Sequence, residues 1–259
     1  MLKNLKKYIS VLFPIIPAAF ILLLASCSST KAPEVQTAET IFNKAMEKFK
    51  KEDWEEATQL FDVLKLQYPA SAFADDAQFY LAEINYNRSE YILAAFNYNM
   101  VRRLYPSSEF VKTSLFKAAM SYYQLSPTFD RDQEYTFKAI DAFQDYQTLY
   151  PKDSLYTQAG KYIDELREKL GRRAFSTAEL YEKLETSKAV LVYLDIVIED
   201  YSDTKYFEPA CFKKVETLYN TKKYDDALNF IEFYSKKFPA GPNLNAVLDY
   251  RKIIQSNKK

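Results

Sequence analysis

Phe42, Phe79, Phe116, Phe175 and Phe212 recur along this chain at intervals of 37, 37, 59 and 37 residues. A fixed period of this size restricts the fold more than composition does. One such unit is too short to bury its own apolar face, so successive units must stack. Other positions hold the same register. Ala45, Ala82, Ala119 and Ala178 each follow the phenylalanine by three residues, with Val215 in the fifth copy. Phe49, Tyr86, Tyr123 and Tyr219 each follow it by seven.

Inside one unit the pattern is helical. Ile41, Phe42, Ala45 and Phe49 have the spacing of an amphipathic helix. Lys51-Glu52-Asp53 reads as a break, and Trp54, Ala57, Phe61 and Leu64 mark a second helix. That helix is expected to stop at Tyr68-Pro69, because proline disfavours helix at the residue before it. Ser71 is then placed to cap the next helix, as is Ser108 after Tyr105-Pro106. The 59-residue interval exceeds one period by 22 residues. About eight of these lengthen the third unit's loop around Ser126–Asp130, and 14 precede Gly171. Fourteen residues are almost four helical turns, so the insertion lengthens a helix without rotating its apolar stripe. One long helix is expected from about Ser154 to Glu185, with Gly171 costing it about 1 kcal/mol. Asn243–Gln255 reads as a terminal capping helix.

Composition removes several function classes. Histidine is absent, which takes away the commonest general base and metal ligand. The three glycines, Gly160, Gly171 and Gly241, are isolated, so no phosphate-cradling loop can form. Nothing pairs a nucleophile with a base, and the reading is of a non-enzymatic chain with no cofactor and no metal. Asp75-Asp76 is read as first-turn helix stabilisation rather than a catalytic dyad.

The N-terminus carries a leader pattern. Lys3, Lys6 and Lys7 precede an apolar stretch from Tyr8 to Leu24. Leu24-Ala25-Ser26-Cys27 then resembles the lipobox of bacterial lipoproteins. Residues 1–26 are read as a lipoprotein signal peptide, Cys27 as the lipidated residue, and residues 27–37 as a flexible tether. An uncleaved anchor is the competing reading, since 17 apolar residues is the lower edge of a span. The remaining 233 residues hold 32 basic and 35 acidic groups, which gives no electrostatic reason to bind nucleic acid. Cys211 is then the one remaining thiol, and its place in a helical pattern marks it as a small buried hydrophobe.

The units look like tetratricopeptide repeats. The expected fold is all-α: a right-handed superhelix of five tetratricopeptide-like helical hairpins with a C-terminal capping helix. The first helices of such repeats line one side. Phe42, Phe79 and Phe116, with Tyr86 and Tyr123, are expected to form a peptide-binding groove there. Met46, Met120, Glu83, Asn87 and Gln124 fall on the same face.

The lipobox, the five repeats, the connectors Tyr68–Ser71 and Tyr105–Ser108, and the segment Leu194–Thr204 together resemble the BamD-type outer-membrane assembly lipoproteins. The resemblance covers about residues 38 to 256. It implies a chain anchored by lipid in the outer membrane and facing the periplasm, with Ser28 compatible with that delivery. It implies that repeats 1–3, residues 38–150, receive unfolded outer membrane proteins. Repeats 4–5 and the capping helix, residues 151–259, would dock the periplasmic domains of a barrel-shaped insertase near Glu199, Tyr201 and Tyr219. Other assembly lipoproteins are further partners by the same resemblance. This chain has Glu199 where relatives often carry a basic residue, and Ser202 where they often carry proline. Two other readings stay open: a tetratricopeptide lipoprotein adaptor for a cell-wall or other secretion complex, and a glycan-binding nutrient-capture lipoprotein.

Overall fold

A computed structural model describes residues 37–257. The leader over residues 1–26 and Cys27 lie outside these residues. Among the described residues there are eleven helices and no strand. They form five hairpins and a last helix: α1 (Ala38–Lys50) with α2 (Trp54–Gln67), α3 (Ala74–Asn87) with α4 (Tyr91–Leu104), α5 (Phe110–Leu125) with α6 (Glu134–Leu149), α7 (Tyr156–Lys183) with α8 (Ser187–Asp200), α9 (Phe207–Asn220) with α10 (Tyr224–Lys237), and α11 (Leu244–Asn257). Each helix packs on the next in sequence, and α3 also meets α5 and α9 meets α11. The all-α hairpin array expected from the period is what the chain builds.

The turn within four of the hairpins is one motif. Glu52, Ser89, Glu185 and Lys222 have φ of 59°, 60°, 55° and 59°. The residue after each donates its N–H five residues back: Asp53 to Lys48 at 3.0 Å, Glu90 to Asn85 at 2.8 Å, Thr186 to Tyr181 at 3.0 Å and Lys223 to Leu218 at 2.9 Å. This is a Schellman ending, whose left-handed residue is most often glycine. None of the four is glycine here, so each carries the Cβ penalty of that conformation. Replacing all four by glycine is expected to stabilise the array by about 0.5 kcal/mol per turn, the relieved strain exceeding the added unfolded-chain entropy. Thermal denaturation followed by circular dichroism checks this; an unchanged or lowered Tm refutes it.

The connector between hairpins also repeats. The N–H of Ser71, Ser108, Asp153, Thr204 and Gly241 donates to the carbonyl three residues before it, on Tyr68, Tyr105, Tyr150, Tyr201 and Phe238. The carbonyl of each then accepts from the residue three further on. The expected serine cap is corrected at Ser71: its Oγ is buried without a hydrogen-bond partner, because the backbone alone makes this turn. Ser108 Oγ does accept from Phe110 N–H at 3.1 Å, the first residue of α5. At Asp153 the side chain does most. It accepts from Tyr146 O–H at 2.6 Å and Leu155 N–H at 2.9 Å, and pairs with Lys112 at 2.7 Å. Lys112, Tyr146 and the Leu155 N–H hold its carboxyl well below the usual range.

The core is divided by hairpin, as stacked repeats require. Phe61 and Leu64 centre the first, Tyr98 and Val101 the second, Phe143 and Tyr146 the third, Leu194 and Val197 the fourth, and Ile231 and Tyr234 the fifth, all fully buried. The long helix appears as expected, as the 28-residue α7. Ile163, Leu166 and Leu170 enter the core of α5 and α6, while Ala174 and Ala178 enter the core of α8. One helix therefore serves two hairpins. Cys211 is buried, and burial pushes its thiol up to about 12. It is a packing residue. Burial, then the charges of Asp75 and Glu109, push the Asp76 carboxyl up to about 6. Its first-turn position alone does not make it a stabilising charge.

Candidate functional site: an aromatic face on the first helices

The repeated phenylalanines join the hairpins. Phe42 stacks on Phe73 with ring centroids 4.8 Å apart, and Phe79 stacks on Phe110 at 4.4 Å, one period further on. Phe116 meets Phe143 and Tyr146 edge-on at 5.7 and 5.2 Å. Phe42 and Phe116 are half-buried, whereas Phe79 is 7% exposed. Lys117 lies 5.9 Å above the Phe79 ring and pairs with Glu83 at 2.5 Å. Phe79 packs between α3, α4 and α5 and is more enclosed than Phe42 and Phe116.

The tyrosines seven residues on differ. Tyr86 is half-buried and edge-on to Tyr91 at 5.3 Å, and burial raises its hydroxyl above the ordinary value. Tyr123 is half-buried against Tyr162 at 4.7 Å and donates its hydroxyl to Glu165 Oε2 at 2.7 Å. That hydrogen bond, then burial and the Glu165 charge, push the Tyr123 hydroxyl up to about 12. A line of aromatic rings with polar edges thus runs from α3 over α5 to α7. Sequence reasoning missed Tyr162 and Glu165. Both lie in the insertion, out of register with the period, so periodicity could not find them.

The expected docking residues do not converge on one site. Glu199 is exposed near the end of α8. Tyr201 caps α8, half-buried, with the Arg167 guanidinium 5.6 Å from its ring. Arg167 also grips Asp203 with two hydrogen bonds of 2.5 and 2.6 Å and the Asp200 carbonyl with a third of 2.6 Å. Tyr219 packs against Tyr224 and Tyr250 near the far end of α9. The 12 steps from Phe207 to Tyr219 rise about 18 Å along the helix, which separates it from the end of α8.

Among the described residues no group of three acidic or cysteine side chains is placed to hold a metal. No helix among them is long and apolar enough to cross a membrane.

A family model described as "YfiO: Outer membrane lipoprotein" matches residues 34–218. The chain belongs to that family. Among its relatives, the outer membrane protein assembly factor BamD of Rickettsia prowazekii is 23% identical over 220 residues, covering 84% of this chain and 88% of the relative. The factor of the same name from Caulobacter vibrioides is 23% identical over 211 residues, covering 78% and 69%. That from Neisseria meningitidis serogroup B is 22% identical over 231 residues, covering 85% and 79%. Solved structures with similarity include a tetratricopeptide protein of Thermus thermophilus, at 15% identity and a TM-score of 0.36 over 85% of this chain and 98% of that one. The YfiO family supplies scaffolds for assembly, not enzymes.

Proposed function

We propose that this chain is a lipid-anchored scaffold for outer membrane protein assembly, held at the periplasmic face of the outer membrane through Cys27. Its first three hairpins, within residues 38–150, receive unfolded outer membrane proteins. Its later hairpins and last helix, within residues 151–259, dock the periplasmic domains of a barrel-shaped insertase, with Glu199, Tyr201 and Tyr219 as contact points on separate patches. Relatives named as outer membrane protein assembly factors, matched over most of their length, support this reading.

The observation that carries substrate binding is the line of half-packed rings Tyr86, Tyr123 and Tyr162, ending at Glu165, which orients the Tyr123 hydroxyl. An extended apolar segment can lie on such rings while its backbone meets the polar edges. Phe42 and Phe116 add apolar edges to the same face, and Phe79 supports it from below.

The double variant Tyr86→Ala with Tyr123→Ala is expected to weaken binding of C-terminal peptides from outer membrane β-barrel proteins by about tenfold or more. Helical circular dichroism should persist, since neither ring is in the fully buried core. Fluorescence anisotropy with labelled peptides checks it. Binding equal to that of the unaltered chain would remove this face from the mechanism.

A further inference from the structure

The two segments that break the repeat meet in space. The long loop between α5 and α6 is braced by Gln133, 4% exposed, which donates to the carbonyls of Thr128 and Arg131 at 2.8 and 2.9 Å. The added turns of α7, with the turn after Gly171, hold that loop down. Lys169 donates to Ser126 Oγ at 2.7 Å, and Arg173 to the carbonyls of Phe129 and Arg131. Between the loop, α7 and the α8–α9 connector lies a cavity of about 600 Å³, within the range of ligand pockets.

Its polar groups are unevenly satisfied. Glu165 is engaged by Tyr123, and Glu168 Oε1 accepts the Lys205 N–H at 2.8 Å. Glu168 Oε2 is buried in the wall with no hydrogen-bond partner. The Arg172 guanidinium stacks on Phe129 at 4.0 Å and makes no hydrogen bond or ion pair among the described residues. The Lys205 ammonium lies over Tyr206 at 5.4 Å and 3.8 Å from Glu168 Oε2, too far for a hydrogen bond. The cavity thus offers one guanidinium with no ionic partner, Arg172, a loose Lys205–Glu168 ion pair with no hydrogen bond between the side chains, and two aromatic rings beside them.

We propose that this cavity binds an extended peptide segment bearing a carboxylate side chain. The carboxylate bridges Arg172 and Lys205, whose charge and fork of donors match it. A backbone N–H of the segment meets Glu168 Oε2, and the neighbouring side chains lie on Phe129 and Tyr206. This site adjoins the Tyr86–Tyr123 face at Glu165 but binds through other groups, Arg172, Lys205 and Glu168, and does not depend on what that face binds.

The probe is a fluorescein-labelled, C-terminally amidated peptide of alternating valine and glutamate, with a glutamine-for-glutamate counterpart, titrated into the full lipidated protein in detergent. The acidic peptide is expected to bind saturably, about tenfold or more tighter than its neutral counterpart. Arg172→Gln and Lys205→Gln should each weaken it about fivefold or more. The Lys205 side chain is 72% exposed, so that variant keeps the fold. Equal affinity for the two peptides, no saturable binding, or undiminished binding in both cationic variants would each overturn the proposal.

Discussion

Replacing Glu83 by alanine is expected to lower stability by about 3 kcal/mol. This carboxylate accepts the Tyr98 hydroxyl at 2.6 Å and the Lys117 ammonium at 2.5 and 2.6 Å, so it ties α3 to both α4 and α5. Tyr98 is fully buried, and burial followed by the Glu83 charge holds its hydroxyl far above the ordinary value. Without Glu83 that hydroxyl has no acceptor and no water, which costs about 1–3 kcal/mol. Lys117, partly exposed, can turn to solvent, so the lost ion pair adds about 1 kcal/mol at most. Adding Tyr98→Phe removes the orphaned hydroxyl and should recover about half of the loss. Urea denaturation of the single and double variants reads this coupling. Strict additivity would show that the network does not act as a unit.

Gly171→Leu is expected to cost about 3 kcal/mol, and Gly171→Ala about 1 kcal/mol, although both replacements favour helix. A Cβ at Gly171 would lie 2.8 Å from Thr204 Oγ1 and 3.3 Å from its Cγ2. Thr204 cannot swing aside. It is 7% exposed, its hydroxyl donates to the Tyr201 carbonyl at 2.8 Å, and its own N–H bonds the same carbonyl at 3.1 Å. The glycine lets the α8–α9 connector rest on α7, which is the packing that offsets its helix penalty. Thr204→Ala leaves its nearest atom at 3.4 Å, ordinary contact distance, so Gly171→Ala with Thr204→Ala should regain stability over Gly171→Ala alone. A Gly171→Ala chain that melts above the unaltered one would show helix propensity winning over contact and defeat the argument.

Helix placement was legible because it rests on near-neighbour chemistry. The spacing of Ile41, Ala45 and Phe49, the prolines after Tyr68, Tyr105 and Tyr150, and the break at Lys51-Glu52-Asp53 act over one or two turns of chain. The fourteen-residue insertion could be read as extra turns of α7 for the same reason. The candidate site was less legible. Tyr86 and Tyr123 were found because they repeat, while Tyr162 and Glu165 lie in the insertion, where no register points to them, and Arg172 just after it holds a repeat position with no shared residue type. Phe79 occupies the same repeat position as Phe42, yet Lys117 and Glu83 close over it. A period assigns equivalent backbone places, not equivalent exposure.

The amino-acid pattern alone determined how many hairpins this protein makes, where each begins and ends, and that they must stack, because helix periodicity and turn chemistry act between residues close along the chain. Only the tertiary structure decided which ring is sealed and which keeps a wet edge, that Gly171 meets Thr204, and that the loop of the third hairpin closes a cavity against α7. Those outcomes depend on the angle and spacing between packed helices, which the side chains of several hairpins set together.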